Sequence, residues 1–70
     1  MKLTDLNVGE KGKILQVPLP RLQELGLIIG TPFQIISRGP FGNPIEISFY
    51  ENYLLIDRKT AMEIEVSPCG

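Results

Sequence analysis

The chain has 70 residues, 43% of them apolar, and a net charge of −1 from seven Lys/Arg and eight Asp/Glu. A chain this short makes one domain, residues 1–70, and buries only roughly 60% of its unfolded surface around one small core. That composition excludes a disordered tail, and the balanced charge argues against nucleic acid, which favours a basic stripe.

The first residues, Met1-Lys2-Leu3-Thr4-Asp5, lack the apolar run of a signal peptide. No apolar segment approaches the roughly 18 residues that cross a bilayer, so direct membrane insertion is not expected. Cys69 is the single cysteine and cannot form an internal disulfide. A cytoplasmic location is the simplest expectation.

Thr4-Asp5-Leu6-Asn7 reads as a turn in which Thr4 or Asp5 accepts bonds from following backbone N–H groups. Gly9 and Gly12 bracket a turn or bulge that opens a first strand over Lys13–Val17. Pro18 and Pro20 end it, and Pro20 starts a short helix over Arg21–Leu25. So few residues hold a helix only through packing, here by Leu22 and Leu25. Gly26 ends the helix in a left-handed conformation, and Gly30 turns the chain into the next strand.

From Phe33 the period is two, with Phe33, Ile35 and Ser37 alternating with Gln34, Ile36 and Arg38. Gly39-Pro40-Phe41-Gly42-Asn43-Pro44 is a loop too long for a two-residue hairpin. Ile45, Ile47 and Phe49 then face the core opposite Glu46, Ser48 and Tyr50. Glu51-Asn52 reads as a tight turn with Asn52 left-handed. Tyr53–Ile56 is a strand with Leu54 and Ile56 inward. Asp57 caps one helical turn from Arg58 to Met62. Ile64–Val66 is a last strand, with residues 1–2 and 67–70 expected to fray. Five short strands and two helical turns in one small domain suit a strongly bent, partly open barrel.

Catalysis finds no support. Histidine is absent, which removes the commonest general base and metal ligand together. Glu46, Glu51, Asp57, Glu63 and Glu65 are scattered on outward positions. Glu63 and Glu65 would share a strand face and could approach a cation, although alternating exposed glutamates are far more often solvated. One thiolate at Cys69 without histidine is not a metal site. Gly39-Pro40-Phe41-Gly42 lacks the Lys-Ser/Thr and the helix of a phosphate loop.

Apolar surface remains. In one reading Leu27 and Ile29 pack inward and Ile28 alone is exposed. In the other, Leu19, Leu27, Ile28, Ile29 and Phe41 supply a patch that another protein covers. Tyr50 and Tyr53 flank a turn and could anchor an interface or pack on their neighbours.

Four segments in order carry a family resemblance. They are Leu3–Ile14 with its two glycines, Leu22-Gln23-Glu24-Leu25-Gly26-Leu27-Ile28-Ile29-Gly30, the loop Pro40-x-Gly42-x-Pro44-Ile45, and the closing Leu54, Ile56, Arg58, Ala61, Ile64 and Val66. Together they resemble the ferrous-iron transport protein A (FeoA) family of small bacterial cytosolic domains. Asp57 stands at a position commonly basic in that family, so a basic contact there is not carried over. The resemblance implies a mainly β, SH3-like five-stranded partly open barrel, with one short helix after the first strand and a helical turn before the last. It implies an adaptor in ferrous-iron transport that binds the ferrous-iron permease (FeoB-type membrane GTPase) through its GTPase domain; the residues themselves lead to the expectation of no cofactor. The alternative is a metal-binding or metal-sensing domain, with weak Fe²⁺ or other divalent-metal association through Glu46, Glu63, Glu65 or Cys69.

Overall fold

The alternation in Ile45–Phe49 translates directly into a half-buried strand. Ile45, Ile47 and Phe49 are buried while Glu46 and Ser48 lie on the outer face. In the computed structural model, which describes residues 1–69, this strand is β3 of a single antiparallel sheet. The others are β1 (Lys11–Gln16), β2 (Pro32–Arg38), β4 (Asn52–Ile56) and β5 (Glu65–Cys69). Their spatial order is β4-β3-β2-β1-β5, curled into a partly open barrel. Two short helices, α1 (Pro20–Glu24) and α2 (Arg58–Ala61), punctuate it. Leu3, Leu6, Ile14, Leu22, Leu27, Phe33, Ile35, Ile56, Ile64 and Val66 close on the inner face of β3 as one core.

In β2, Phe33 and Ile35 point inward as the pattern predicts, but Ser37 does not. The register shifts between Ile35, opposite Ile47, and Ser37, opposite Glu46. That bulge resets the alternation and turns Ser37 outward, where its hydroxyl donates to Glu46 Oε1 at 3.0 Å.

β1 begins two residues before its expected start, so Gly12 lies inside the strand. A Cβ there would stand 2.7 Å from the Ser67 carbonyl oxygen and 2.9 Å from Phe33 Cζ. Glycine is needed because β5 and the Phe33 ring close on β1 from two sides.

The terminal residues expected to fray are paired. Ser67–Cys69 match Lys13–Lys11 on β1, with Pro68 on the outermost strand where a missing N–H costs no ladder bond. Val66 N–H donates to the Met1 carbonyl at 2.7 Å, and Leu3 N–H to that of Ile64 at 3.0 Å. The N-terminal ammonium and Lys2 Nζ reach Glu65 at 2.9 and 2.8 Å. Gly70 lies outside the described residues.

Two turns also differ from expectation. The β3–β4 connection is Tyr50-Glu51, with Phe49 paired to Asn52, and Tyr50 rather than Asn52 takes positive φ (54°). At the start of the chain the Asp5 carboxylate accepts from the preceding Lys2 N–H at 2.9 Å, capping the 3-10 turn Leu3–Asp5 from its third residue. Asp57 behaves as its position before α2 predicts, accepting from Thr60 N–H at 3.2 Å and Thr60 Oγ1 at 2.6 Å.

Candidate functional site

The site grows from the way α1 ends. Pro20 occupies the first turn, where its missing N–H is harmless. At the other end Gly26 N–H bonds the Gln23 carbonyl (3.0 Å) and Leu27 N–H reaches back to that of Leu22 (3.1 Å). With Gly26 at φ 102° this is a Schellman closure, and its usual apolar contact places Leu22 and Leu27 side by side in the core. Leu25, expected to hold the helix down, is exposed instead. The helix stops before Leu25 can join its inner stripe, and the reversal at Gly26 brings Leu27 to that place.

Burial of Leu27 removes it from the candidate surface. Its neighbours go the other way: Ile28 is 53% exposed and Ile29 73%. Neither of the sequence-based alternatives describes this arrangement whole, because Ile29 is outward while Leu27 is inward.

The loop that carries Ile28 and Ile29 is tied at both ends. Thr31, a buried polar side chain, accepts from Ile28 N–H through Oγ1 at 3.1 Å and donates to the Gly26 carbonyl at 3.3 Å. Its N–H donates to the Ile28 carbonyl at 3.0 Å. Gly30 N–H bonds the Ile14 carbonyl at 2.7 Å, and Ile14 N–H returns to the Thr31 carbonyl at 2.9 Å. The two isoleucines are therefore displayed from a loop fastened to β1.

Beneath them lies an open groove of about 400 Å³ lined by Gln16, Val17, Gln23, Ile28 and Ile29. Val17 is buried and forms its floor. Gln23 Nε2 donates to the Val17 carbonyl at 2.7 Å, which fixes α1 against the end of β1. The lining has aliphatic side chains and two amides, and no charge. Such a groove suits an apolar side chain of a partner and offers no nucleophile, acid or base. Sequence reasoning missed Gln16, Val17, Gln23 and Thr31, since nothing in their spacing marks them.

The remaining candidates do not converge on this groove. Leu19 precedes α1 and is half-buried against the core. Phe41 is 97% exposed, in the 3-10 turn Pro40–Gly42 that follows β2. Ile28 and Ile29 precede β2, so a seven-residue strand separates Phe41 from them. Tyr50 and Tyr53 are exposed around the β3–β4 turn.

No group of three metal-ligating side chains exists among the described residues. Glu63 lies in the turn before β5 and does not share a strand face with Glu65. Glu65 is engaged by Lys2 and the N-terminal ammonium, which hold its carboxyl below the usual range. Glu46 accepts the Ser37 hydroxyl. These residues do not fit a resident metal ion. Asp57 is also shifted down, chiefly by the Thr60 hydroxyl and then by its N–H.

The FeoA domain model matches residues 1–68. The chain belongs to the FeoA family. It is similar to the FeoA protein from Chlorobium tepidum, solved by NMR, at 29% identity and a TM-score of 0.93 over 100% of this chain and 71% of that one. An iron uptake regulatory protein (FeoA) matches at 24% identity and a TM-score of 0.87, covering 99% of this chain and 96% of that one. A third similar structure is Stenotrophomonas maltophilia FeoA complexed with zinc, described as a prokaryotic SH3 domain protein. It is 21% identical, with a TM-score of 0.83 over 96% of this chain and 89% of that one. No curated protein matches the sequence. The FeoA family is implicated in ferrous-iron transport. Among the described residues, no helix of this member is long and apolar enough to cross a membrane.

Proposed function

We propose that this FeoA domain is a cytoplasmic adaptor that modulates ferrous-iron transport by docking on the GTPase domain of a ferrous-iron permease. Ile28 and Ile29 and the groove beneath them are the contact. Family membership supplies the transport context. The observation that carries the reading is the fastened loop: a rigid display of two aliphatic side chains loses little conformational entropy on binding. The uncharged groove suits an apolar anchor from the partner, and no cofactor or resident metal is part of the account.

Calorimetric titration with the isolated permease GTPase domain tests the contact. Full burial of an isoleucine is worth about 1.5–3 kcal/mol, so Ile29→Asp weakens binding by roughly ten- to a hundredfold. Ile29 is solvated in the free domain, so the variant keeps its fold. Equal affinities for Ile29→Asp and the unaltered domain contradict the assignment.

A further inference from the structure

The two outermost strands of the sheet are treated differently. β5 is covered on its far side by the N-terminal segment, through Val66 N–H to Met1 and Leu3 N–H to Ile64. β4 has no such cover. Its backbone partner among the described residues is β3 alone. The two-residue turn makes Phe49–Asn52 a mutually hydrogen-bonded pair, so the pattern alternates outward from it. Asn52, Leu54 and Ile56 bond β3. Tyr53 and Leu55, opposite Ser48 and Glu46, aim their N–H and C=O groups away from the sheet.

Natural open edges are usually blunted by lysine, proline, a bulge or an inward charge. β4, Asn52-Tyr53-Leu54-Leu55-Ile56, carries none of these, and its pairing with β3 runs without a register shift. The residues with free backbone groups also present exposed apolar side chains, Tyr53 at 70% and Leu55 at 64%.

We propose that this edge pairs with β4 of a second copy of the chain, antiparallel about a two-fold axis at Leu54. The strand is complementary to itself in that register. Tyr53 opposes the second copy's Leu55, and Leu55 its Tyr53, so both sets of free groups are satisfied by four N–H···O=C bonds. Each aromatic ring lies across from an aliphatic side chain on the outer face, a favourable cross-strand pair. At each end Glu51 stands opposite the second copy's Asp57, a like-charge pair that weakens the association, with Arg58 and Lys59 just beyond it.

A five-residue edge buries less than the roughly 800 Å² per partner of a standard stable interface, so the dimer is weak and concentration-dependent. It uses residues other than those of the proposed permease contact, Tyr53 and Leu55 of β4 rather than Ile28 and Ile29.

Sedimentation equilibrium over a dilution series, with amide exchange measured by NMR at its two ends, tests the pairing. The expected result is an apparent mass rising toward twice the monomer, with Tyr53 and Leu55 amides exchanging more slowly at high concentration. Leu55→Lys stays monomeric throughout and keeps a dispersed spectrum, because the side chain is solvated in the monomer. Ile29→Lys, away from the edge, associates like the unaltered chain. A protein that remains monomeric at its solubility limit overturns the proposal. So does association that leaves the Tyr53 and Leu55 amides unchanged, or self-association of Leu55→Lys equal to that of the original. Protection of these two amides only on adding the permease domain assigns the edge to a strand of that partner instead.

Discussion

Thr31→Val removes one hydroxyl and leaves the shape of the side chain. In the native domain Oγ1 accepts from Ile28 N–H at 3.1 Å and donates, at a longer 3.3 Å, to the Gly26 carbonyl. Valine abolishes both. A net hydrogen bond is worth about 1 kcal/mol, and stranding a buried donor costs about 1–3 kcal/mol. Ile28 is half-exposed, so water restores part of the loss at its N–H. The Gly26 carbonyl bond is long and contributes little. The expected destabilisation is therefore about 1–2 kcal/mol, or a fall of roughly 4–15 °C in melting temperature for a domain of this size. Thr31→Ser keeps the hydroxyl and loses one methyl, about 0.8 kcal/mol. Urea denaturation of the three proteins at one pH measures the order: native, then Ser, then Val. A Val variant as stable as the native domain, or a Ser variant weaker than Val, refutes the view that this hydroxyl fastens the loop.

Gly12→Ala places a methyl group against the Ser67 carbonyl and the Phe33 ring, and overpacking of this kind costs about 1–3 kcal/mol; urea denaturation reads it, and an unchanged midpoint contradicts the close approach of β1 and β5. Acid lowers stability through Glu65 and Asp57. Both carboxyls are held below their ordinary values in the folded state, so their contribution is full above the unfolded value and is lost as pH falls through the lowered one. Glu65→Gln therefore shows a shallower loss below about pH 4.3, most clearly at low salt. An acid limb identical to that of the native domain shows that the Lys2 and N-terminal contacts to Glu65 do not persist in solution.

Much of the framework was legible because single residues force it. Pro20, Gly26 and Asp57 mark helix ends by backbone chemistry that needs no tertiary context, and all three act as that chemistry requires. The alternation in β3 survives because its pairing with β4 has no register shift. Elsewhere, long-range contacts decided. Nothing local marks Ser37 as outward; the bulge in its pairing to β3 does that. Ser67–Cys69 look like a tail until β1 is placed beside them. Leu25 and Leu27 exchange roles because the helix reverses between them. The candidate patch divided because Phe41 and Ile28 lie on opposite ends of β2, a separation that the period-two run from Phe33 already implied. The groove residues Gln16, Val17 and Gln23 belong to two elements whose meeting no spacing announces.

The most direct test of the adaptor account is an NMR titration of the ¹⁵N-labelled domain with the GTPase domain of a ferrous-iron permease. The account predicts saturable shifts that cluster at Gln16, Gln23, Ile28, Ile29 and Gly30, with Phe41 unaffected. A spectrum unchanged at saturating GTPase domain, or shifts confined to Phe41 and the β2–β3 loop, contradicts it.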